Sequence, residues 1–151
     1  MLKKAASKPE ARQIRFVISD VKALPFIDDT FDLITISFAT RNLNISRDIL
    51  TETFHEFYRV LKPGGRFVNL ETSRPPSAII RKLYNTYIGI TVKPVGYFLS
   101  GSSAGYAYLS HTIPRFYGAV ELKDIILEAG FGTVDYTGLM FGAAAIHVAK
   151  K

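Results

Sequence analysis

The chain has 151 residues, 48% of them apolar and 21% charged, the length and composition of one globular domain, which excludes disordered, collagen-like and coiled-coil classes. It has no cysteine, so disulfide frameworks, thiolate metal sites and cysteine nucleophiles are out, and no apolar run approaches the roughly 18 residues of a membrane span. The net charge of +6 is spread along the chain, not gathered into the basic stripe that a nucleic-acid partner would need.

The opening Met1-Leu2-Lys3-Lys4 has no secretory apolar core, and residues 2–13, polar with Ala and Lys, read as a surface helix. Residues 14–18 read as a short strand ending at Ser19-Asp20. Leu24-Pro25-Phe26 with Asp28-Asp29 reads as a loop and turn. Residues 31–38, FDLITISF, are nearly continuously apolar and β-branched, the pattern of a strand buried on both faces in a parallel sheet. Ser46 is a helix N-cap, and Ile49, Leu50, Phe54, Phe57, Tyr58 and Leu61 mark one apolar helix face. Lys62-Pro63-Gly64-Gly65 must end that helix, and it reads as a structural turn. Residues 66–70 form the next buried strand, completing a strand–helix–strand crossover.

Residues 75–118 change character. They are rich in tyrosine (Tyr84, Tyr87, Tyr97, Tyr106, Tyr108, Tyr117) and glycine, with Pro94 and Pro114 as breaks, which suggests a helical insertion or lid. Residues 120–129 read as a helix stopped by Gly130. Residues 133–137 and 144–149 read as two closing strands, an antiparallel pair at one sheet edge. The fold class is α/β.

Several strings fall in register with one family. They are Asp20-Val21-x-x-Leu24-Pro25-Phe26, Phe31-Asp32, Ile36-Ser37-Phe38-Ala39-Thr40-Arg41-Asn42, Glu56-x-x-Arg59-Val60-Leu61-Lys62-Pro63-Gly64-Gly65 and Leu70-Glu71-Thr72-Ser73-x-Pro75. Tyr84, Tyr106-x-Tyr108-Leu109, Phe116, Ala129-Gly130-Phe131 and Gly142-x-x-Ala145-Ile146-His147 follow. Together they resemble the UbiE/MenG ubiquinone and menaquinone C-methyltransferases along essentially the whole chain. The Val-Leu-Lys-Pro-Gly-Gly string is shared by many class I methyltransferases. The Phe-x-x-Arg-Asn, Tyr-Leu and Gly-Phe segments are more specific, and Leu70-Glu71-Thr72-Ser73-x-Pro75 leans towards the menaquinone branch.

The resemblance implies a class I, Rossmann-like methyltransferase sheet: a single domain over 1–151, the C-terminal two-thirds of the fold, with 75–118 as a substrate-side insertion. The family's Gly-rich E-x-G-x-G-T-G strand and the acidic residue ending its second strand have no counterpart in the sequence. Strand 31–38 is then expected at a sheet edge, and 14–18 without its neighbour. The expectation is a fragment, a truncated product or half of a split enzyme, completed by an N-terminal partner chain, or a homo-oligomer pairing the free edges.

The implied activity is S-adenosylmethionine-dependent C-methylation of a demethylated quinol (demethylmenaquinol or related). The lipid quinol substrate implies work at the cytoplasmic membrane face with peripheral contact and no nucleic-acid partner. A second reading is a non-catalytic partner that keeps the quinone-pocket half.

By the same resemblance, Asp20 and Val21 match adenine-contact positions and Ser37 a cofactor-contact position. Asp20 has a plainer reading as a turn aspartate, and Ser37 as a structural strand serine. Arg41, Asn42 and Asp20 are the catalytic candidates. A guanidinium directly after an apolar strand suits a phenolate or a proton-accepting water, unless it pairs with Asp32 or Asp48. Glu71 would orient Arg41 or the substrate, or else pair with Arg74. Tyr84, Tyr106 and His111 complete the candidate substrate residues; Tyr87, Tyr97 and Tyr108 share with them the alternatives of pocket wall and core. His55, His111 and His147 are too scattered for a metal site.

Overall fold

The computed structural model describes residues 5–100 and 112–151, with side chains up to residue 91 of the long central helix. Its strands are β1 (Phe31–Ser37), β2 (Leu61–Thr72), β3 (Thr133–Leu139) and β4 (Ala144–Lys150). Its helices are α1 (Thr40–Leu43), α2 (Arg47–Val60), α3 (Ala78–Ser100) and α4 (Ala119–Glu128). The sheet order is β1-β2-β4-β3. β1 and β2 are parallel, and β4 runs antiparallel to both β2 and β3.

The core forms where the two helical periodicities meet the sheet. Ser46 Oγ accepts the Ile49 N–H at 3.3 Å and opens α2. Leu50, Phe54 and Phe57 of α2 then pack with Leu122, Ile125 and Ile126 of α4 against Phe67, Val134 and Ala149 of the sheet. The Phe67 ring lies 5.4 Å from the rings of both Phe54 and Phe57.

Lys62-Pro63-Gly64-Gly65 is the structural turn that the sequence indicates, folded into the start of β2. Gly64 is left-handed (φ 79), and a Cβ on Gly65 would sit 2.8 Å from the Lys62 carbonyl. The turn is tied to the chain end: Gly64 N–H donates to Lys151 O, and Lys151 N–H to Gly65 O, both at 3.1 Å. The register slips here, from Phe31 opposite Leu61 to Leu33 opposite Arg66.

Four expectations change. Residues 14–18 are not a strand: they pair with nothing among the described residues, and Ile18 is 86% exposed. A strand has no ladder without a neighbour to bond. The expected helix over 2–13 is, in its described part, a short helical turn and a 3₁₀ segment at Pro9–Gln13, because Pro9 lacks the N–H that a continuing helix needs. Strand β1 is not buried on both faces. Ile34 and Ile36 pack towards the core while Leu33 points outward and exposed, since α2 and α4 cover one face only and β1 is an edge strand. Strand 66–70 extends to Leu61–Thr72. Of the 75–118 insertion, the described part is mainly α3; residues 101–111, with Tyr106, Tyr108 and His111, lie outside the described residues.

Candidate functional site

The end of β1 is bent by Phe38, a non-glycine residue in the left-handed region (φ 51). Its N–H donates to Leu70 O at 2.8 Å. The bend turns α1 back across the C-terminal end of β2, so that Thr40 and Arg41 become buried. Along β2, period-two alternation puts Phe67, Asn69 and Glu71 on the covered face.

Side chains from these two elements meet in one polar cluster. The Thr40 hydroxyl donates to Asn69 Oδ1. Arg41 holds Glu71 twice: its backbone N–H donates to Oε2 at 3.0 Å, and its guanidinium lies 3.4 Å from Oε1. The guanidinium also donates to Thr72 Oγ1 at 3.1 Å. The Thr72 N–H and hydroxyl donate to Glu71 Oε1 at 2.7 and 2.9 Å. Arg41 is 7% exposed and Glu71 1%.

The carboxylate is saturated but the donors are not. Arg41 Nε, Asn69 Nδ2 and Ser73 Oγ are buried with no partner in the structure. A buried donor left unmade costs about 1–3 kcal/mol, and most such groups in folded proteins are satisfied. Unpaired donors together at the C-terminal ends of two parallel strands, where open α/β sheets bind ligands, suit a ligand that brings acceptor oxygens.

Beside the cluster lies an apolar cleft of about 440 Å³. Leu83, Tyr84 and Tyr87 of α3 form one wall, and Met140, Phe141 and Ala143 of the β3–β4 turn the other. Tyr84 belongs to both regions. Burial pushes its phenol above the ordinary tyrosine value, the Arg41 guanidinium pulls it down, and Glu71 pushes it up.

Of the candidates named from sequence, Arg41 and Glu71 are joined and Tyr84 stands next to them. The other pairings weighed for them go elsewhere: Asp32 takes Lys62 at 2.9 Å, and Arg74 takes Glu121 at 2.6 Å. Asn42 is exposed and outside the cluster. Asp20 does not end a strand. It is an exposed turn aspartate whose Oδ1 accepts the Lys22 N–H at 3.0 Å. Val21 packs against the core, and Ser37 is exposed at the end of β1. His147 is buried in β4; its Nε2–H donates to Ala119 O at 2.8 Å, a structural role.

Thr40, Asn69, Thr72, Ser73, Met140 and Phe141 were not singled out from sequence. Asn69 had a signal: a polar residue at a core-facing position of an otherwise apolar strand.

Glu56 and Arg59 do another job. Glu56 accepts the Leu24 N–H at 2.7 Å and the Arg59 Nε–H at 2.8 Å. Arg59 reaches on to Phe26 O at 2.9 Å and Asp28 at 2.6 Å. Together they staple loop 24–28, and with it the Asp20 turn, onto α2.

S-adenosylmethionine is the cofactor that the resemblance implies. The Asp20 carboxylate and the Ser37 hydroxyl are open to solvent and have the polarity for its adenosyl part. The sequence supplies no Gly-rich loop for close backbone approach at its methionine end. The residues present therefore fit part of the group.

A parallel strand pair joined through helices, extended by an antiparallel pair and carrying its polar cluster at the strand ends, is the sheet of a class I methyltransferase. It superposes on the crystal structure of a SAM-dependent methyltransferase from Thermotoga maritima with a TM-score of 0.64 at 18% identity, covering 97% of this chain and 68% of that one. The chain belongs to the ubiE/COQ5 methyltransferase family, which it matches over residues 1–151. It is 39% identical over its whole length to human mitochondrial 2-methoxy-6-polyprenyl-1,4-benzoquinol methylase. It is 38% identical over 93% of its length to the ubiquinone/menaquinone biosynthesis C-methyltransferase of Cereibacter sphaeroides. The chain spans 46% of the human protein and 55% of the bacterial one.

Proposed function

We propose that this chain forms the acceptor-binding half of an S-adenosylmethionine-dependent enzyme that C-methylates a demethylated quinol, demethylmenaquinol or a related one. The observation that carries the reading is a buried arginine with an unpartnered Nε–H, fixed by a saturated glutamate and near Tyr84, which lines an apolar cleft. Family membership supports it.

When bound, S-adenosylmethionine supplies a methyl group activated on a sulfonium. The acceptor carbon must be electron-rich, which a quinol becomes as it ionises towards phenolate. Arg41 favours that form by directing a fixed positive charge and a free N–H at the developing oxyanion. Glu71 holds the guanidinium in place, so little reorganisation accompanies the step. Asn69 and Ser73 offer further hydrogen-bonding groups for the second oxygen or for a water that takes the hydroxyl proton. Tyr84, Tyr87 and Phe141 offer flat apolar surface for the ring and the start of the tail.

A polyprenyl tail on the acceptor supports work at the cytoplasmic membrane face. No helix among the described residues is long and apolar enough to cross a membrane. The outer edge of β1 is where a further strand, from an N-terminal partner chain or a second copy, would pair.

The test is a pair of titrations, of S-adenosylmethionine and of a short-tailed demethylmenaquinol analogue, followed by a methyl-transfer assay. Transfer that is lost in Arg41→Met supports the enzyme reading. Quinol binding without cofactor binding or transfer supports the non-catalytic partner instead.

A further inference from the structure

Part of the apolar surface of α3 is open to solvent over residues 78–91. Ile79, Leu83, Tyr87 and Ile90 lie at i, i+4, i+8 and i+11, one narrow stripe, and all four are exposed. Ile80, Tyr84 and Ile88 turn the other way and are half-buried or buried. Next to the stripe stands the β3–β4 turn, where Met140 is 78% and Phe141 84% exposed. Contiguous exposed apolar surface of this kind marks an interaction site.

The turn is held in this form at a cost. Met140 and Phe141 are both left-handed (φ 49 and 56), followed by Gly142 at φ 90. Consecutive non-glycine residues in that region persist only where the surroundings impose them. Here Gly142 packs so closely on the loop into α3 that a Cβ would meet Pro76 at 2.7 Å. The contact fixes the Met140–Phe141 tip beside α3.

The charge along α3 is of one sign. The α3 sequence contains Arg81, Lys82 and Lys93 and no acidic residue. Lys82 is one turn from Ile79 and borders the stripe, and neither Arg81 nor Lys82 forms an ion pair among the described residues. An apolar stripe bordered by Lys82, on a helix whose sequence has no acidic residue, complements a lipid surface with anionic headgroups. Leu83, Tyr87, Met140 and Phe141 also line the cleft, so its mouth opens within the same face.

We infer that α3 and the Met140–Phe141 turn dock this protein onto an anionic lipid bilayer, with the mouth of the cleft at the hydrocarbon boundary. The inference deepens the quinol reading and rests on it for one consequence: a lipid-dissolved acceptor passes from bilayer to Arg41 along Leu83, Tyr87 and Phe141 without crossing water.

The experiment is flotation of the full-length protein with vesicles of phosphatidylcholine alone and of phosphatidylcholine mixed equally with phosphatidylglycerol. Binding is expected on the mixed vesicles and weakens with salt. Phe141→Asp and Leu83→Asp each lower it about tenfold, and Lys82→Glu lowers it on the mixed vesicles only. Ile27→Asp, at an equally exposed residue before the other end of β1, leaves it unchanged. The inference is overturned if the parent ignores both vesicles, if the Asp variants bind like the parent, or if binding requires native membranes with their proteins, which would indicate a protein partner. The assay needs neither cofactor nor quinol. A protein that methylates a tail-less quinol but ignores vesicles overturns the docking face alone, and one that floats but never methylates overturns the enzyme reading alone.

Discussion

Removing either side of the Arg41–Glu71 pair gives unequal results, and the inequality follows from the hydrogen bonds. Breaking a buried ion pair typically costs about 3–5 kcal/mol, because a charge is left uncompensated. In Arg41→Met, however, Glu71 keeps the backbone N–H of residue 41 and both donors of Thr72. The loss should fall to about 1–3 kcal/mol, the range for one unmade bond to a buried polar group. In Glu71→Ala the guanidinium stays buried with only Thr72 Oγ1 as acceptor, and the full 3–5 kcal/mol or so is expected. Urea unfolding midpoints at constant slope measure both. Catalysis should rank the other way. Losing an oxyanion donor lowers kcat by roughly 10²–10³, so Arg41→Met is the worse catalyst although the more stable variant. Arg41→Lys restores charge but neither the Nε–H nor the planar fork, and recovers stability more than kcat. Equal destabilisation by the two truncations, or a kcat within about tenfold of the parent in Arg41→Met, would refute the assignment of roles.

Gly142→Ala combines a left-handed φ with a Cβ 2.7 Å from Pro76; it should lower stability by more than about 1 kcal/mol and displace the Phe141 tip, read as lost vesicle binding. His147 has its proton affinity lowered by burial, against a raising contribution from its bond to Ala119. Its stabilisation is therefore complete above the ordinary histidine value of about 6.5 and declines as pH falls below that; the melting temperature of the parent should drop there, and that of His147→Gln should drop less. Glu56 is held below the ordinary glutamate range chiefly by its hydrogen bonds from Arg59, with the Leu24 N–H adding to them. Its contribution is present above about pH 4.3 and is lost as pH falls through the depressed value, so Glu56→Gln should flatten the acid limb of the stability curve and speed proteolysis in loop 24–28.

What was legible in the sequence is what local periodicity and turn chemistry decide. The Ser46 cap, the 3–4 spacing of Leu50, Phe54 and Phe57, and the glycines at 64–65 each fix their element by short-range physics, and the structure has them in place. Residues 14–18 and the outer face of β1 failed for the opposite reason. Their β-branched runs describe a strand that needs neighbours, and strand formation depends on what lies beside it. Of the site, Arg41 and Glu71 were legible because a charge after an apolar strand calls for an explanation. Thr40 and Ser73 were not, because a small hydroxyl residue at a strand end carries no pattern. Met140 and Phe141 carry no sequence signal, and only the backbone shows them left-handed and turned to solvent.

Most of the left-handed non-glycine residues lie beside three of the five buried polar atoms without a partner among the described residues, the other two being Asn44 Oδ1 and His147 Nδ1. Among the described residues, four non-glycine residues have positive φ: Asp29, Phe38, Met140 and Phe141. Three of the four lie at the C-terminal edge of the parallel pair, since Ala144, next to the turn, pairs with Thr72. Each such residue costs of order 1–3 kcal/mol, and Arg41 Nε, Asn69 Nδ2 and Ser73 Oγ are unpaired at that same edge. A fold optimised for stability alone would relax Phe38 and let α1 leave β2, which would expose Arg41 and hydrate its Nε–H. The left-handed Phe38 precedes the turn that carries the buried Arg41, and on the proposed function a buried, fixed guanidinium would interact more strongly with a phenolate than a solvated one does. Phe38→Gly therefore separates the two demands. It relieves the strain and should leave or raise stability, yet it loosens the turn that positions Arg41 and should lower kcat, with KM little changed. A variant that gains stability and keeps its full rate would show that the bend serves packing alone.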